Sequence, residues 1–358
     1  MPSFRLLFRM LVLLLLTLAG CSEGESNSEK LPQEESNVLH FYNWEEYVLP
    51  ELLQEFEERE GIKVILHSYL DEDDILAALQ SGLTNADLVV VSDNIVEELY
   101  RGRLLHPLNR ERIPNLRFVA PHPFYYRLPG DVLVTVPYLM GTVGVLVNRN
   151  HVPDSADSWQ VLWDHQYSGR MAMLDNSLDV LDAGCNVLGY SINTESPREL
   201  EHVREKLMAQ RSLLTGYFDT VTLMDQMVEG RLYAAQMYNG DAVVAMQDNP
   251  DLRFFIPREG TSVWVDCLVV PLRAAHAEAA MRFINFLHEP EVMARNAAYL
   301  GYQPVNTAAI ELMPLELQNS PILFPPRSVM QRCESFQPIK AEAMHQRLSI
   351  WAQLRSSD

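Results

Sequence analysis

Aromatic and acidic side chains recur side by side in this 358-residue chain, at points where an apolar run gives way to a turn. Trp264 and Asp266 stand two apart in the stretch from Arg258 to Pro271, which reads as a tight turn at Glu259-Gly260 followed by a buried strand. On a strand these two side chains share a face. A carboxylate buried there is expensive unless a cation or hydrogen-bond donors meet it. The indole beside it adds a flat, negative π-face. Together they form half of a cage for an organic cation. For the pair alone, a packed Trp and an Asp closing a local hydrogen bond account for it equally well. The pairing recurs, however, at Trp44, Glu46 and Tyr47, at Asp179, at Tyr238 and Asp241, and at Tyr302, with Ser92 as a further polar group. Aromatic faces cover methylenes and meet ammonium groups. Carboxylates make charge-assisted hydrogen bonds to them, and two carboxylates spaced along a cleft measure ligand length. An anion binder would need Arg or helix N-termini at these places instead.

Charge and motifs narrow the chemistry. Lys and Arg number 28 against 48 Asp and Glu, a net charge of −20, which repels nucleic acid. No HExxH, no GxSxG, no Cys pair at metal spacing and no glycine-rich phosphate loop is present. The 10 histidines are scattered without helical pairing, which argues against a metal-binding version. No catalytic residue, no metal and no cofactor is therefore expected, and the chain is not expected to be an enzyme.

The elements that must position these groups alternate. Val38–Trp44 has strand composition, Pro50 opens a helix that Gly61 ends, and 62–67 reads as the next strand. A helix over 71–79 opens with acids, favourable at its N-terminus, and 87–92 reads as a buried strand before a helix over 95–101. Strand, helix, strand, helix, strand is the α/β pattern, in which ligands bind beyond the carboxyl ends of strands. A proline-rich surface connection covers 113–129. Gly141 and Gly144 suit a chain crossing between lobes before a strand over 145–148. Trp159 and Trp163, four apart, read as packing on a helix. Strands at 171–174 and 234–238 follow, with Asn239-Gly240-Asp241 as the exit turn of the second and a short helix over 242–247. Helices are expected around 180–188, 198–211, 222–229, 278–287, 291–300 and 341–354. Tyr302 is expected as an exposed aromatic on a loop, and Cys185, Cys267 and Cys333 as buried thiols with one disulfide possible.

The N-terminus reads as a targeting segment. Arg5 and Arg9 precede an apolar run too short to span a bilayer. It ends in Leu18-Ala19-Gly20-Cys21, which resembles the bacterial lipobox, so residues 1–20 are expected to be a lipoprotein signal peptide and Cys21 the lipidated residue. Residues 22–37 hold almost no apolar side chain and read as a flexible stalk.

From residue 38 to 340 the sequence resembles the periplasmic spermidine/putrescine-binding proteins of bacterial polyamine ABC importers. Its marks are the 42–47 segment around Trp44, Ala86 to Val89, Val136 to Thr142, Glu259-Gly260, the Trp264–Asp266 pair, 283–287 and Gly301-Tyr302 with Asn306. The resemblance implies a two-lobed periplasmic-binding-protein fold of type II that closes on ligand by a hinge. The first lobe is expected at 38–143 plus 267–312 and the second at 144–266 plus 313–358. It implies ligand contacts at Trp44, Glu46, Tyr47, Ser92, Asp179, Tyr238, Asp241, Trp264, Asp266 and Tyr302. Tyr238 stands where the family usually has Trp, Asn94 where Tyr often sits, and Asn176 where spermidine-type members carry Asp. These departures leave the particular amine open. The expected partners are a polyamine and an ABC permease with its cytoplasmic ATPase. A transmembrane sensor served by the same fold is the alternative. A monomer tethered in the periplasm by lipid is expected, with inner or outer membrane open.

Overall fold

The structure is a computed structural model that describes residues 37–70, 72–119, 121 and 132–356. The targeting segment, Cys21 and the stalk lie outside the described residues, apart from Asn37. Strand β1 (Val38–Trp44) alternates, burying Leu39, Phe41 and Asn43 on one face. Helix α1 (Pro50–Glu60) starts with proline at its first turn and buries Leu52 and Phe56, four apart, over β1. Gly61 ends it at φ +64, donating its N–H to Glu57 O at 2.9 Å. β2 (Lys63–Tyr69) returns parallel to β1, α2 (Glu72–Ser81) crosses over, and β3 (Leu88–Ser92) lies parallel to β1 on its other side. α3 (Asp93–Arg101) begins at once where β3 stops.

β4 (Thr135–Asn148) and β9 (Ser262–Val269) tie the two halves of the sheet together. β9 runs antiparallel to β3, with Ser92 opposite Asp266, and antiparallel to the first part of β4, with Gly141 opposite Trp264. From Val143 onwards β4 pairs instead with β7 (Ala234–Tyr238), and at 145–148 also with β8 (Leu252–Phe255). β5 (Met171–Leu174) lies parallel to β7, and β6 (Leu214–Phe218) parallel to β5. The strand order is β2-β1-β3-β9-β4-β7-β5-β6. Around the second half pack α4 (Ser177–Val187), α5 (Pro197–Arg211), α6 (Thr220–Val228), α7 (Asn239–Asp248) and the C-terminal helix Ala341–Ser356. α8 (Ala277–Leu287) and α9 (Pro290–Leu300) pack on the β1 side, where Phe41, Phe56 and Phe283 meet edge to face. Each such ring contributes roughly 1.5–3 kcal/mol by leaving water.

Several expectations are corrected. β4 is one strand through both glycines and changes partner from β9 to β7 between Thr142 and Val143. A Cβ on Gly141 would lie 2.4 Å from the Trp264 ring and one on Gly144 2.3 Å from Phe254, so these glycines admit packed rings. Asn239-Gly240-Asp241 is no turn but the first turn of α7. Trp159–Trp163 is a 3-10 turn with both indoles buried, Trp159 donating Nε1–H to Gly260 O at 2.9 Å. β6 was not foreseen. Cys185, Cys267 and Cys333 are all buried free thiols.

Candidate functional site

The expected residues converge where β1, β3 and β7 end and along β9, whose Asp266 stands opposite Ser92 at the end of β3. At the exit of β1 the chain turns sharply, with Glu46 in the left-handed region at φ 54, a conformation uncommon for a residue with a side chain. Asn43 holds the turn, its Nδ2 donating to Tyr47 O at 2.9 Å. The turn leaves Trp44 half-buried, Glu46 exposed and Tyr47 buried. Asp266 on β9 is 6% exposed, and the Tyr47 hydroxyl, Ser92 and Trp44 face it. The Tyr47 hydroxyl turns toward Asp266 without closing a hydrogen bond, and the Trp264 indole N–H has no partner either.

Four rings form a continuous edge-to-face path. Centroids lie 5.7 Å apart for Tyr47–Tyr302, 5.0 Å for Tyr302–Trp264 and 6.1 Å for Trp264–Tyr238. Two acids stand along this path, each held by a tyrosine. The Tyr302 hydroxyl donates to Asp241 at 2.8 Å, and the Tyr238 hydroxyl donates to Asp179 at 2.6 Å. Tyr302 was expected on an exposed loop, but it is 4% exposed, because Gly240 has no side chain to keep it out: a Cβ there would sit 2.4 Å from its ring. Asp179 is no helix cap. Asn176 caps α4, its Oδ1 accepting from the Leu178 and Asp179 N–H groups at 2.9 and 3.2 Å. Asp179 is thereby left facing Tyr238.

Burial dominates the electrostatics. It lifts Asp266 to about 7, against the opposing pull of Tyr47, Ser92 and Trp44. Asp179 and Asp241 rise to about 6 by burial, each partly restrained by its tyrosine. Glu46 adds to the rise at Asp241, which places its carboxylate within electrostatic reach. Among the described residues none of these three Asp carboxylates pairs with Lys or Arg. Charges of one sign, removed from water and walled by π-faces, can lower their free energy by taking up an organic cation.

Two acids of the site were missed. Glu72 at the start of α2 accepts the Ser92 N–H at 2.7 Å, and Asp93 follows Ser92 directly. Both were legible as acids near strand ends, but Glu72 was taken only as a favourable charge at a helix start. Asn239 was also missed. Its Oδ1 accepts the Thr142 N–H at 3.0 Å and lies close against Gly141, fixing β4 beneath Trp264. No group of three or more His, Cys, Asp or Glu suited to a metal occurs among the described residues.

Two halves of one sheet joined through β4 and β9, with an acid- and ring-lined site at the strand ends, define a two-lobed solute-binding fold. The chain belongs to the bacterial extracellular solute-binding protein family, whose model matches residues 51–325. It is 31% identical over 303 residues to the spermidine/putrescine-binding periplasmic protein of Escherichia coli K12, covering 84% of this chain and 87% of that protein. A solved structure, a putative spermidine/putrescine ABC transporter from Listeria monocytogenes, superposes with a TM-score of 0.84 at 28% identity, covering 90% of this chain and 100% of that one. A Treponema pallidum lipoprotein structure gives 0.79 at 25% identity, covering 88% and 99%. Solute binding and transport is not an enzyme class.

Proposed function

We propose that this protein captures a polyamine of the putrescine or spermidine class outside the cytoplasm and delivers it to an ABC permease with a cytoplasmic ATPase, without catalysing a reaction. The observation that carries this is the set Asp179 and Asp266, buried, and Asp241, half-buried, without Lys or Arg partners among the described residues and interleaved with Tyr47, Tyr238, Trp264 and Tyr302. Asp266 anchors one ammonium, with Trp264 stacked on the adjoining methylenes and Trp44, Glu46, Tyr47 and Ser92 closing over it. Asp179 and Asp241 serve the other end. The relatives named for these amines support the ligand class. The names that include an ABC transporter support the importer over the sensing adaptor.

The lobes are proposed at 38–143 plus 267–312 and 144–266 plus 313–358, closing by a hinge where β4 changes partners. The protein is proposed to work as a monomer in the periplasm, tethered through lipid on Cys21, and a lipoprotein among its structural relatives supports the tether. Mass spectrometry of amines released on denaturing the purified protein tests the ligand class. Diamines or triamines in near-stoichiometric amount are expected, and copurified amino acid or sugar in their place contradicts the assignment. Radiolabelled palmitate incorporated by the parent and lost in Cys21→Ser tests the tether.

A further inference from the structure

Behind Asp266 the sheet holds an arrangement that ligand contact alone does not explain. Ser92 faces Asp266 across the β3–β9 pair, its backbone N–H is taken by Glu72 at 2.7 Å, and Asp93 is the next residue. Three carboxyl groups from α2, α3 and β9 thus surround one residue. Asp93 and Asp266 are both 6% exposed. The groups facing Glu72 are Asp266, Asp93, the Tyr69 hydroxyl and the Cys267 thiol, and none is a cation. No Lys or Arg among the described residues pairs with any of the three carboxyls. The Tyr47 hydroxyl, on a residue 8% exposed, is itself buried and points at Asp266 with no partner. Three carboxyls gathered around Ser92, two buried and Glu72 half-buried, oppose one another's ionisation.

We propose that Glu72 and Asp93 are the proton-holding pair behind the anchor Asp266, so that an ammonium seated at Asp266 releases a proton from this cluster to solvent. The inference rests on the amine-binding assignment above. With the site empty, the three acids share protons and limit the charge at Asp266. When a cation arrives, an O–H bond of one carboxyl breaks, the proton leaves to water, and the carboxylate left behind offsets the ammonium. Burial, followed by the repulsion of Asp266 and Asp93, raises Glu72 to about 8, and burial together with Asp266 raises Asp93 to about 7, in agreement with protons being held near neutrality. Glu72 is a positioning residue here. It sets the charge of the group that touches ligand.

The test is titration calorimetry of putrescine and spermidine into the purified protein at pH 7, in phosphate and in Tris, whose ionisation heats differ. The difference in heats counts protons. Release of about one proton per amine is expected, with affinity gaining up to about tenfold per pH unit between pH 6 and 7.5. In Glu72→Gln, which keeps an acceptor for the Ser92 N–H, release at pH 7 falls below about half that of the parent, and the pH profile moves to lower pH. Asp93→Asn moves it the same way. Amine binding by the parent with no proton release overturns the inference and leaves the amine site standing. Equal release by parent and both variants also overturns it. If no amine binds at all, both fall.

Discussion

Asp266 carries the largest burden at the scale of single residues. Burial raises it from 3.8 to about 7, so the ligand-free fold holds a proton that the unfolded chain has already given up. The stability this contributes is full below about pH 4 and is lost as pH rises through about 7. Asp179 and Asp241 act in the same direction with folded values of about 6. The melting temperature of the ligand-free protein is therefore expected to fall between about pH 4 and 7, and less steeply in Asp266→Asn. A parallel fall in parent and variant by scanning calorimetry would show that Asp266 is not the buried acid described. The same variant removes a desolvated charge partner, at an expected cost of about 2–5 kcal/mol of amine binding. Trp264→Ala is expected to cost about 2–4 kcal/mol through lost stacking, as buried aromatic anchors do. Binding constants of both variants indistinguishable from the parent's would refute the site. At this scale the sequence was informative about composition and silent about pairing. Tyr302 and Tyr238 were legible as aromatics near acids, but the hydroxyl that meets Asp241 and the one that meets Asp179 depend on β7, α7 and the segment after α9 arriving together.

Secondary-structure elements set where those residues point, and glycines do much of that work. Gly260 turns the chain into β9 at φ +108, with the Arg332 backbone oxygen 2.0 Å from where a Cβ would stand. Gly260→Ala is expected to destabilise by on the order of 3 kcal/mol, combining backbone strain with a clash that backbone cannot yield to. A denaturant midpoint equal to the parent's would contradict this. Gly141→Ala and Gly240→Ala press instead on Trp264 and Tyr302. They are expected to weaken amine binding along with a loss of about 1–3 kcal/mol in stability. The first three strands and three helices were legible because propensity, proline starts and glycine stops agree locally. The start of α7 was not. Asn-Gly-Asp is a turn signal, and it is overridden because the Asn239 side chain is drawn to Thr142 N and Ile322 O while Gly240 makes room for Tyr302. β6 escaped because Gly216, at φ +159, interrupts a five-residue strand that rests on β5 alone. The full length of β4 was not legible, because its glycines carry no sign in sequence of the Trp264 and Phe254 rings they accommodate.

For the molecule as a whole, the order β2-β1-β3-β9-β4-β7-β5-β6 joins two sheet halves through β4 and β9, whose chain positions lie about 120 residues apart. The α/β class was legible from alternation in the first hundred residues. The pairing of β9 between β3 and β4 is a long-range register that periodicity does not specify. A site made of strand ends from both halves couples binding to stability. Amine at about 100 times its Kd is expected to stabilise the protein by about 2.7 kcal/mol, raising its melting temperature. Glutamate or a neutral sugar should leave it unchanged. The net charge of −20 attracts a cationic ligand at low salt and should keep the protein monomeric in light scattering.

Calorimetric titration of a length series, putrescine, cadaverine, spermidine and spermine, into protein freed of copurified amine by unfolding and refolding reads the central claim most directly. One-to-one binding, micromolar or tighter, of a subset of these amines is expected, lost or strongly weakened in Asp266→Asn. Folded protein that gives no binding heat with any of them, or that binds them equally well without the Asp266 charge, would contradict it.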